Sequence, residues 1–509
     1  MKRRLANILA FLLPALLAYQ VGLLALGRHL VDWNSLAAAA HAFDVFHKFP
    51  QANMALIGFV QPPLPALLYL PLSYLFPGWV AAGCAAPLLG AVFLGLSAVM
   101  LAHLGQALRL KWWLYVPVTA LFVAHPLVLS YAALGHPAIL LIFAYLGLAK
   151  GLVGWHREQT VRDLVAAAIY GAVAILIAYE AAVPVLVAAL FILGRCQPRR
   201  TCHDPAPPEP AKAEGTLIAF LLPAAYVGGV WLIANWAIMG NPLHFWRMTL
   251  AGTQHLPLSP VDTWLQPVIL VAIVVQPLLM ALIYHDLHIS PVSRVGAPVA
   301  WLALAALFSP LLFPTLRTTA TGAALWAPLM PLAAAGAGFG FPLLLTACAS
   351  YAQATAQWRR QLLTAGVLII AVGSLVVAFH LQTNQRGLPT GLRSTFTGYA
   401  ASAHTDLEER AAARRMAGQL HPAMRNYIGG WPGFAIAMYA QLGSQVEVLP
   451  STDPPPGDLG LQAGCTVVLL TNGHDARTAW QARLPRFLTL RKAWAEGKWV
   501  GYRVVVKGQ

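Results

Sequence analysis

Long apolar stretches recur along this chain, and short segments holding most of the charged residues separate them. A helix needs about 20 mostly apolar residues to cross the roughly 30 Å hydrocarbon core of a bilayer. This pattern predicts an all-α polytopic membrane domain with about eleven transmembrane helices, and the division within 164–194 stays open. The predicted spans cover residues 5–27, 81–104, 112–131, 137–153, 164–179, 182–194, 215–238, 264–284, 296–313, 320–346 and 361–380.

One apolar stretch does not fit a membrane span. "FVQPPLPALLYLPLSYLFPG", residues 59–78, carries five prolines. Proline removes a backbone donor and interrupts a helix, and within hydrocarbon each freed carbonyl needs another partner. We therefore predict that 59–78 forms short helices along the outer interface, inside a first outer loop over 28–80.

The basic residues predict the orientation of the chain, because Lys and Arg collect in cytoplasmic loops. With a cytoplasmic N-terminus, only Arg28, Lys48, Arg247 and Arg317 fall in outer loops of the membrane domain. A crossing by 59–78 would invert every later loop and turn the basic loops outward. The predicted cytoplasmic set is Lys2, Arg3, Arg4, Arg109, Lys111, Arg157, Arg162, Arg195, Arg199, Arg200, Arg294, Arg359 and Arg360.

After residue 380 the pattern changes to that of a water-exposed domain. Helical periodicity indicates two short helices, and alternating β-branched residues indicate three strands. We divide the chain into a transmembrane catalytic domain, 1–380, and a small outer α/β domain, 381–509, which an odd number of spans makes periplasmic or extracellular. The helices fall in 404–420 and 432–443, and the strands in 445–450, 465–473 and 502–508.

Composition supports the membrane assignment. The chain is 58% hydrophobic and 10% charged, whereas soluble domains carry about 25% charged residues. The formal net charge of +15 follows from basic cytoplasmic loops and does not indicate nucleic-acid binding. The expected location is the cell (inner) membrane, and the lipid bilayer is the first partner.

Asp32 is the first candidate for chemistry, because it follows the first span directly. A partly desolvated carboxylate at the membrane surface can act as a general base. The alternative is that Asp32 caps the helix predicted to begin at Ser35, a common use of aspartate. Asp44 is a candidate second carboxylate of the same loop, and its alternative is a solvated helix face.

The first loop resembles that of the GT-C superfamily of integral-membrane glycosyltransferases, which includes protein O-mannosyltransferases and lipid A aminoarabinose transferases. In that family an outer Asp, often Asp-Glu, precedes interfacial helices with a Pro-Pro-Leu stretch. Asp32 matches the Asp, Trp33 replaces the Glu, and 62–64 is Pro-Pro-Leu.

Two further stretches extend the resemblance over most of 1–340. His136 lies in a short outer turn where family members often have a second acidic residue. "NWAIMGNPLHF" is similar to a family motif at the outer end of a later span. The matching residues of that motif are Asn235, Trp236, Gly240, Pro242 and Phe245.

The resemblance implies an inverting transfer of a sugar from a polyprenyl-phosphate donor to a glycan, lipid or protein acceptor at the outer face. It implies that Asp32 is the base, with His136 and Asp44 as further catalytic candidates. Arg317 and Arg247 are candidates for the donor phosphate, since a guanidinium can donate two parallel hydrogen bonds. For both arginines the alternative is an interfacial side chain that reaches toward water.

No firm cofactor follows from the sequence, and a divalent metal stays open. A second function also stays open, because Trp33 and His136 depart from the family pattern. In that alternative the chain is a non-catalytic membrane carrier of lipid or polysaccharide, or an inactive GT-C relative.

Overall fold

Helices account for nearly all of the described chain up to residue 352. The chain divides into two compact units, and each unit contains part of the first loop. Unit 1 comprises Met1–Gly22, Phe59–Leu64 and Pro87–Thr397, and unit 2 comprises Leu23–Gly58, Pro65–Ala86 and Gly398–Gln509. The computed structural model describes residues 2–48, 51–59, 61–196, 210–245, 299–306, 329–352, 407–417, 426–429, 433–440, 446–449, 462–470, 474–485, 487–497 and 499–507.

The described helices up to residue 352 follow the apolar stretches. They are α1 Lys2–Gly27, α2 Trp33–His47, α3 Leu64–Leu75, α4 Pro77–Ala81, α5 Ala85–Ala107, α6 Trp112–Ala124, α7 Pro126–Leu134, α8 Ala138–Glu158, α9 Val161–Ile177, α10 Ala182–Cys196, α11 Pro210–Met239 and α12 Leu329–Ala352. Two 3-10 helices, Met54–Ile57 and Tyr179–Ala181, and a helical stretch over 299–306 complete this part.

Five described helices are long and apolar enough to cross a membrane. They are α1, α5, α8, α11, and α10 with its preceding 3-10 turn, and the bent pair α6 and α7 makes a sixth if it is one span. The predicted spans at 264–284 and 361–380 lie outside the described residues. The predicted multi-pass helical architecture is thus present, while the total of about eleven spans stays a prediction.

Proline explains where the helices break. The span predicted over 112–131 is two helices that meet at His125, whose backbone is extended because the residue before a proline disfavours the helical region. In the same way α3 ends before Phe76, which precedes Pro77. The stretch 59–78 therefore contains short helices, as predicted.

Helix α8 lies at the centre of unit 1, with α9 and α12 packed against it. Its side chains are buried along most of its length. A Cβ atom on Gly151 would come within 2.9 Å of three Ala167 atoms, so α8 and α9 approach closely there. Tyr145 of α8 stacks on Phe339 of α12 with the ring centroids 4.6 Å apart. Small residues that let backbones approach are typical of membrane helix pairs.

The C-terminal part of unit 2 is a five-stranded sheet with three short helices. The strands, in the order β2-β1-β3-β5-β4, pair parallel from β2 to β3 and antiparallel from β3 to β4. Strands β2, β3 and β5 confirm the three predicted strands. The elements are β1 Asn426–Gly429, β2 Val446–Leu449, β3 Thr466–Leu470, β4 Leu488–Glu496, β5 Trp499–Val506, α13 Leu407–Ala417, α14 Gly433–Tyr439 and α15 His474–Arg483.

Helices cover both faces of this sheet, because alternate residues of β3 point to opposite sides. Val467 packs with Trp480 of α15 on one face. Val468 packs with Met416 of α13 and Ile436 of α14 on the other. Helices α13 and α14 confirm the two helices predicted from periodicity, and the predicted small α/β domain is present.

Unit 2 joins this domain to the first loop. Helix α14 packs on α2, and Nη2 of Arg410 in α13 donates to the carbonyl of Ala82 at 3.1 Å. The same guanidinium lies 4.3 Å from the ring centroid of Tyr439. The first loop and the C-terminal domain are therefore in direct contact within unit 2.

Candidate active site

Asp32 lies at the start of α2 and caps it. Its Oδ2 accepts a hydrogen bond from the Ser35 backbone N–H at 2.8 Å. In return Oγ of Ser35 donates to the Asp32 carbonyl at 3.0 Å. Asp32 has the extended backbone expected of an N-cap residue. The capping role considered from the sequence is present, and it fixes the carboxylate, half-buried, at one end of the helix.

The body of α2 is packed rather than exposed. Its alanines and aromatic residues between Leu36 and Val45 are almost all buried, with α4, α14 and the 3-10 helix Met54–Ile57 against it. The helix predicted from Ser35 onward is thus held from several sides. Such packing restrains the residue that caps it.

Helix α3 presents one buried face within unit 2. Pro65, Ala66, Tyr69 and Ser73 form this face, at the spacing of one side of a helix. The hydroxyls of Tyr69 and Ser73 are both buried, and neither has a hydrogen-bond partner among the described residues. His47 ties α3 to α2, with Nε2 at 3.1 Å from the Ser73 carbonyl oxygen.

The Tyr69 ring is 3% exposed, and its hydroxyl is within electrostatic reach of Asp32. Burial raises the pKa of Tyr69, and the negative charge of Asp32 raises that pKa further. Tyr69 therefore stays protonated and can donate a hydrogen bond. Sequence reasoning missed this residue. The available signal was a hydroxyl in the middle of an otherwise apolar, proline-rich stretch.

Asp44 does not join Asp32. A helix rises about 1.5 Å per residue, so twelve residues separate the two carboxylates by about 18 Å along α2. Asp44 instead shares a helix face with His41 and Lys48, which lie three residues before it and four after it. Burial raises the pKa of Asp44 to about 6, although the positive charges of Lys48 and His47 oppose this shift.

His41 belongs to the same buried face of α2. Burial lowers its pKa, a hydrogen bond with the Leu56 backbone opposes that shift, and Lys48 adds to it. Gly58 lies directly over the ring: a Cβ atom there would be 3.2 Å from the imidazole, and the φ of +83° also favours glycine. His41 thus packs against the segment that leads into the Pro-Pro-Leu stretch.

His136 belongs to unit 1 and lies just before a different helix, whose N-cap residue is Pro137. Its Nδ1 accepts a hydrogen bond from the Ala138 N–H at 3.0 Å, at the start of α8. Its backbone N–H donates to the Tyr131 carbonyl at 2.9 Å, and its ring lies against the Tyr131 ring with 4.7 Å between centroids. The side chain is 8% exposed. Nδ1 is therefore engaged in holding the turn.

Arg317 and Arg247 lie outside the described residues, so their contact with the donor phosphate stays a prediction. Among the described residues, no group of three or more His, Cys, Asp or Glu side chains is arranged to hold a metal ion. Metal dependence likewise stays open.

The predicted motif near the end of α11 joins an aromatic cluster in unit 1, which we call the Trp231 cluster. Nε1 of Trp231 donates to the Tyr179 hydroxyl at 3.1 Å, and Nδ2 of Asn235 donates to the Trp231 carbonyl at 2.9 Å. Phe59 stacks on Trp231 with centroids 5.0 Å apart, and Phe245 lies against Tyr179 at 4.8 Å. Two residues of the sequence motif thus support one cluster, together with Phe59 of the first loop.

The sequence matches no protein-family model and no curated relative. Two solved structures are similar to the chain as a whole. ArnT from Cupriavidus metallidurans bound to undecaprenyl phosphate has a TM-score of 0.56 and 14% identity, and covers 98% of each chain. ArnT from Cupriavidus metallidurans in the apo state has a TM-score of 0.53 and 15% identity, again over 98% of each chain. At this identity the likeness shows the fold alone: the chain has an ArnT-like fold, and the predicted fold class, a multi-pass helical domain with a small C-terminal α/β domain, is confirmed.

Proposed function

We propose that this protein is a GT-C-type membrane glycosyltransferase that uses a polyprenyl-phosphate-linked sugar. The observation that carries the proposal is the likeness to ArnT bound to undecaprenyl phosphate over 98% of both chains. The motif resemblance of the first loop, with Asp32 and the Pro-Pro-Leu stretch at 62–64, adds support to the proposal. The sugar and the acceptor are not specified by this likeness.

The proposed reaction is a single displacement at the anomeric carbon. The acceptor hydroxyl oxygen attacks that carbon, and Asp32 takes the hydroxyl proton. The bond between the anomeric carbon and the phosphate oxygen breaks, and the electron pair leaves with the polyprenyl phosphate. The configuration at the anomeric carbon is inverted.

The capping geometry suits Asp32 to the role of base. A general base must be held within hydrogen-bond reach of the proton that it removes. The bond from Ser35 fixes one oxygen of Asp32 at 2.8 Å, and the packed body of α2 restrains the residue that carries it. We assign the phosphate to Arg317 first and to Arg247 second, because both follow apolar stretches at the predicted outer surface.

We also propose that the reaction takes place at the outer face. The C-terminal domain contacts α2 and the Ala82 carbonyl, so the loop with Asp32 and this domain share one side. The positive-inside rule favours the outer side for both. Reporter fusions at residues 205 and 400 are expected to report opposite sides of the membrane. A report from the same side contradicts the scheme.

The purified protein in lipid nanodiscs provides the direct test. It is mixed with undecaprenyl-phosphate-linked mannose, glucose or aminoarabinose, and with lipid A, a lipid-linked oligosaccharide or a serine-containing peptide. Mass spectrometry measures the glycosylated acceptor, and thin-layer chromatography measures the released undecaprenyl phosphate. We expect transfer in at least one pairing.

A matched pair of variants assigns that transfer to the site. Asp32→Asn is expected to abolish most of it, whereas Glu214→Gln, an exposed carboxylate of α11, is expected to behave like the parent. Binding of the lipid-linked sugar without release of undecaprenyl phosphate in any pairing would instead support the carrier alternative.

A further inference from the structure

Tyr69 buries a hydroxyl to which no described residue is hydrogen-bonded. The residue is 3% exposed, and its hydroxyl has no hydrogen-bond partner among the described residues. Nearly all buried polar groups in folded proteins are hydrogen-bonded, and leaving one unpaired is unfavourable. Phenylalanine would fill the same space without that cost. The hydroxyl therefore requires an explanation beyond packing.

The position of Tyr69 indicates where its partner would come from. Tyr69 lies on the buried face of α3 in unit 2, the same unit as Asp32. The Asp32 carboxylate is near enough for its charge to act on that hydroxyl. We infer that a molecule presenting a hydroxyl to Asp32 comes within reach of Tyr69.

The chemistry of the two groups limits what that molecule presents. Tyr69 is neutral and donates, so it needs an oxygen that accepts. A phosphate oxygen would bring a second negative charge beside the Asp32 carboxylate, and like charges at short range repel strongly where water is scarce. A neutral hydroxyl or ether oxygen meets no such repulsion. The attacking oxygen itself is also a poor partner, since a donated hydrogen bond draws electron density from it and makes it less nucleophilic.

We propose that Tyr69 is a positioning residue that donates a hydrogen bond to a second oxygen of the acceptor, beside the hydroxyl whose proton Asp32 removes. This inference rests on the proposed function. It favours a saccharide acceptor, on which neighbouring oxygens are the rule. A serine or threonine side chain offers one hydroxyl oxygen only.

Tyr69→Phe tests the proposal, because it removes one oxygen atom and keeps the ring. With the acceptor that the parent uses in the panel above, the KM for that acceptor is expected to rise roughly 3- to 10-fold, the range of one neutral hydrogen bond. The KM for the undecaprenyl-phosphate-linked sugar is expected to stay unchanged. The thermal midpoint is expected to stay equal or rise, since an unpaired buried hydroxyl is removed.

Tyr74→Phe is the matched control. Tyr74 lies on the same helix, is 68% exposed, and contacts Phe46 through its ring, at 5.4 Å between centroids. The Tyr74→Phe variant is expected to match the parent in both KM values.

Two results would overturn the inference while the parent stays active: an unchanged acceptor KM in Tyr69→Phe, or a lowered thermal midpoint, which would show that the hydroxyl has a structural bond. Use of the peptide acceptor alone would overturn the saccharide assignment. A parent that transfers no sugar in any pairing overturns the proposed function itself, and this inference with it.

Discussion

Asp32 and His136 occupy comparable places in two parts of the molecule, each beside the first residues of a helix. Asp32 accepts from a backbone N–H at the start of α2, and His136 accepts from a backbone N–H at the start of α8. Their surroundings differ. Asp32 is half-buried, and its charge acts on the buried Tyr69 hydroxyl, which has no hydrogen-bond partner within the described part of the chain. His136 is 8% exposed, and its ring packs on Tyr131. A contact with a helix N-terminus alone therefore does not separate a structural residue from a catalytic one.

The largest effect is expected from Asp32→Asn. Asparagine caps helices about as well as aspartate, so α2 should keep its start. The amide cannot take a proton, and transfer is expected to fall by about 100- to 10,000-fold, the usual contribution of a general base. Single-turnover rates measure the loss, and the thermal midpoint in detergent checks the fold. Near-normal turnover would leave Asp32 with the cap as its sole role.

Arg317→Ala tests whether the proposed active site that contains Asp32 also binds the donor phosphate. Removing a charged hydrogen-bond partner costs about 1.5–3 kcal/mol, so donor KM is expected to rise by roughly 10- to 150-fold. Arg317→Lys keeps the charge but loses the planar fork, and should fall between the parent and Arg317→Ala. Arg247→Ala, at the second candidate, is expected to raise donor KM less than Arg317→Ala does. Equal donor use by Arg317→Ala and the parent would place the phosphate elsewhere.

Asp44→Asn allows the two carboxylates of α2 to be compared, because Asp44 lies about 18 Å along the helix from Asp32. The folded-state pKa of Asp44 is about 6, above the usual value near 4 for an unfolded chain. Between about pH 4 and pH 6 the folded protein holds a proton that the unfolded chain releases, so stability falls as the pH rises through this window and stays lower above it.

Asp44→Asn is therefore expected to be more stable than the parent above pH 6, by about 1–2 kcal/mol after allowance for the partial exposure of the side chain. The two proteins should converge near pH 4. Thermal midpoints from pH 4 to pH 8 measure the difference. A parent whose midpoint does not fall between pH 4 and pH 6 would contradict the assignment.

Hydrophobic length and proline predicted the helical part of the fold well. The prolines of 59–78 predicted that this stretch is broken into short helices, and α3 and α4 bear that out. Pro126 also predicts a helix break, because the residue before a proline disfavours the helical region. The continuous apolar run of 112–131 nevertheless led to the prediction of a single span. In the C-terminal domain, β1 has only four residues and β4 carries three charged side chains within nine. Neither shows the alternation that identifies a strand.

The candidate site was harder to predict, because its geometry depends on tertiary contacts. Local pattern was enough to suggest that Asp32 caps a helix, since the cap joins residues three apart. The distance between Asp32 and Asp44 follows from α2 continuing unbroken to His47. Tyr69 could not be singled out, because its burial and its relation to Asp32 depend on how α3 packs in unit 2.

The smallest effect is expected from substitutions of His136, which test whether the role of this residue is structural. His136→Ala removes the side-chain acceptor for the Ala138 N–H, and loss of a side-chain acceptor at a helix N-terminus typically costs about 1 kcal/mol. His136→Asn offers a carbonyl oxygen for the same N–H and should recover most of that stability. Transfer is expected to change less than about tenfold in either variant, since Nδ1 already accepts the Ala138 N–H. Thermal midpoints and single-turnover rates, measured on the same preparations as Asp32→Asn, separate the two quantities. If His136→Asn restores the midpoint but transfer stays as low as in Asp32→Asn, then His136 acts on substrate and the distinction drawn between the two residues is wrong.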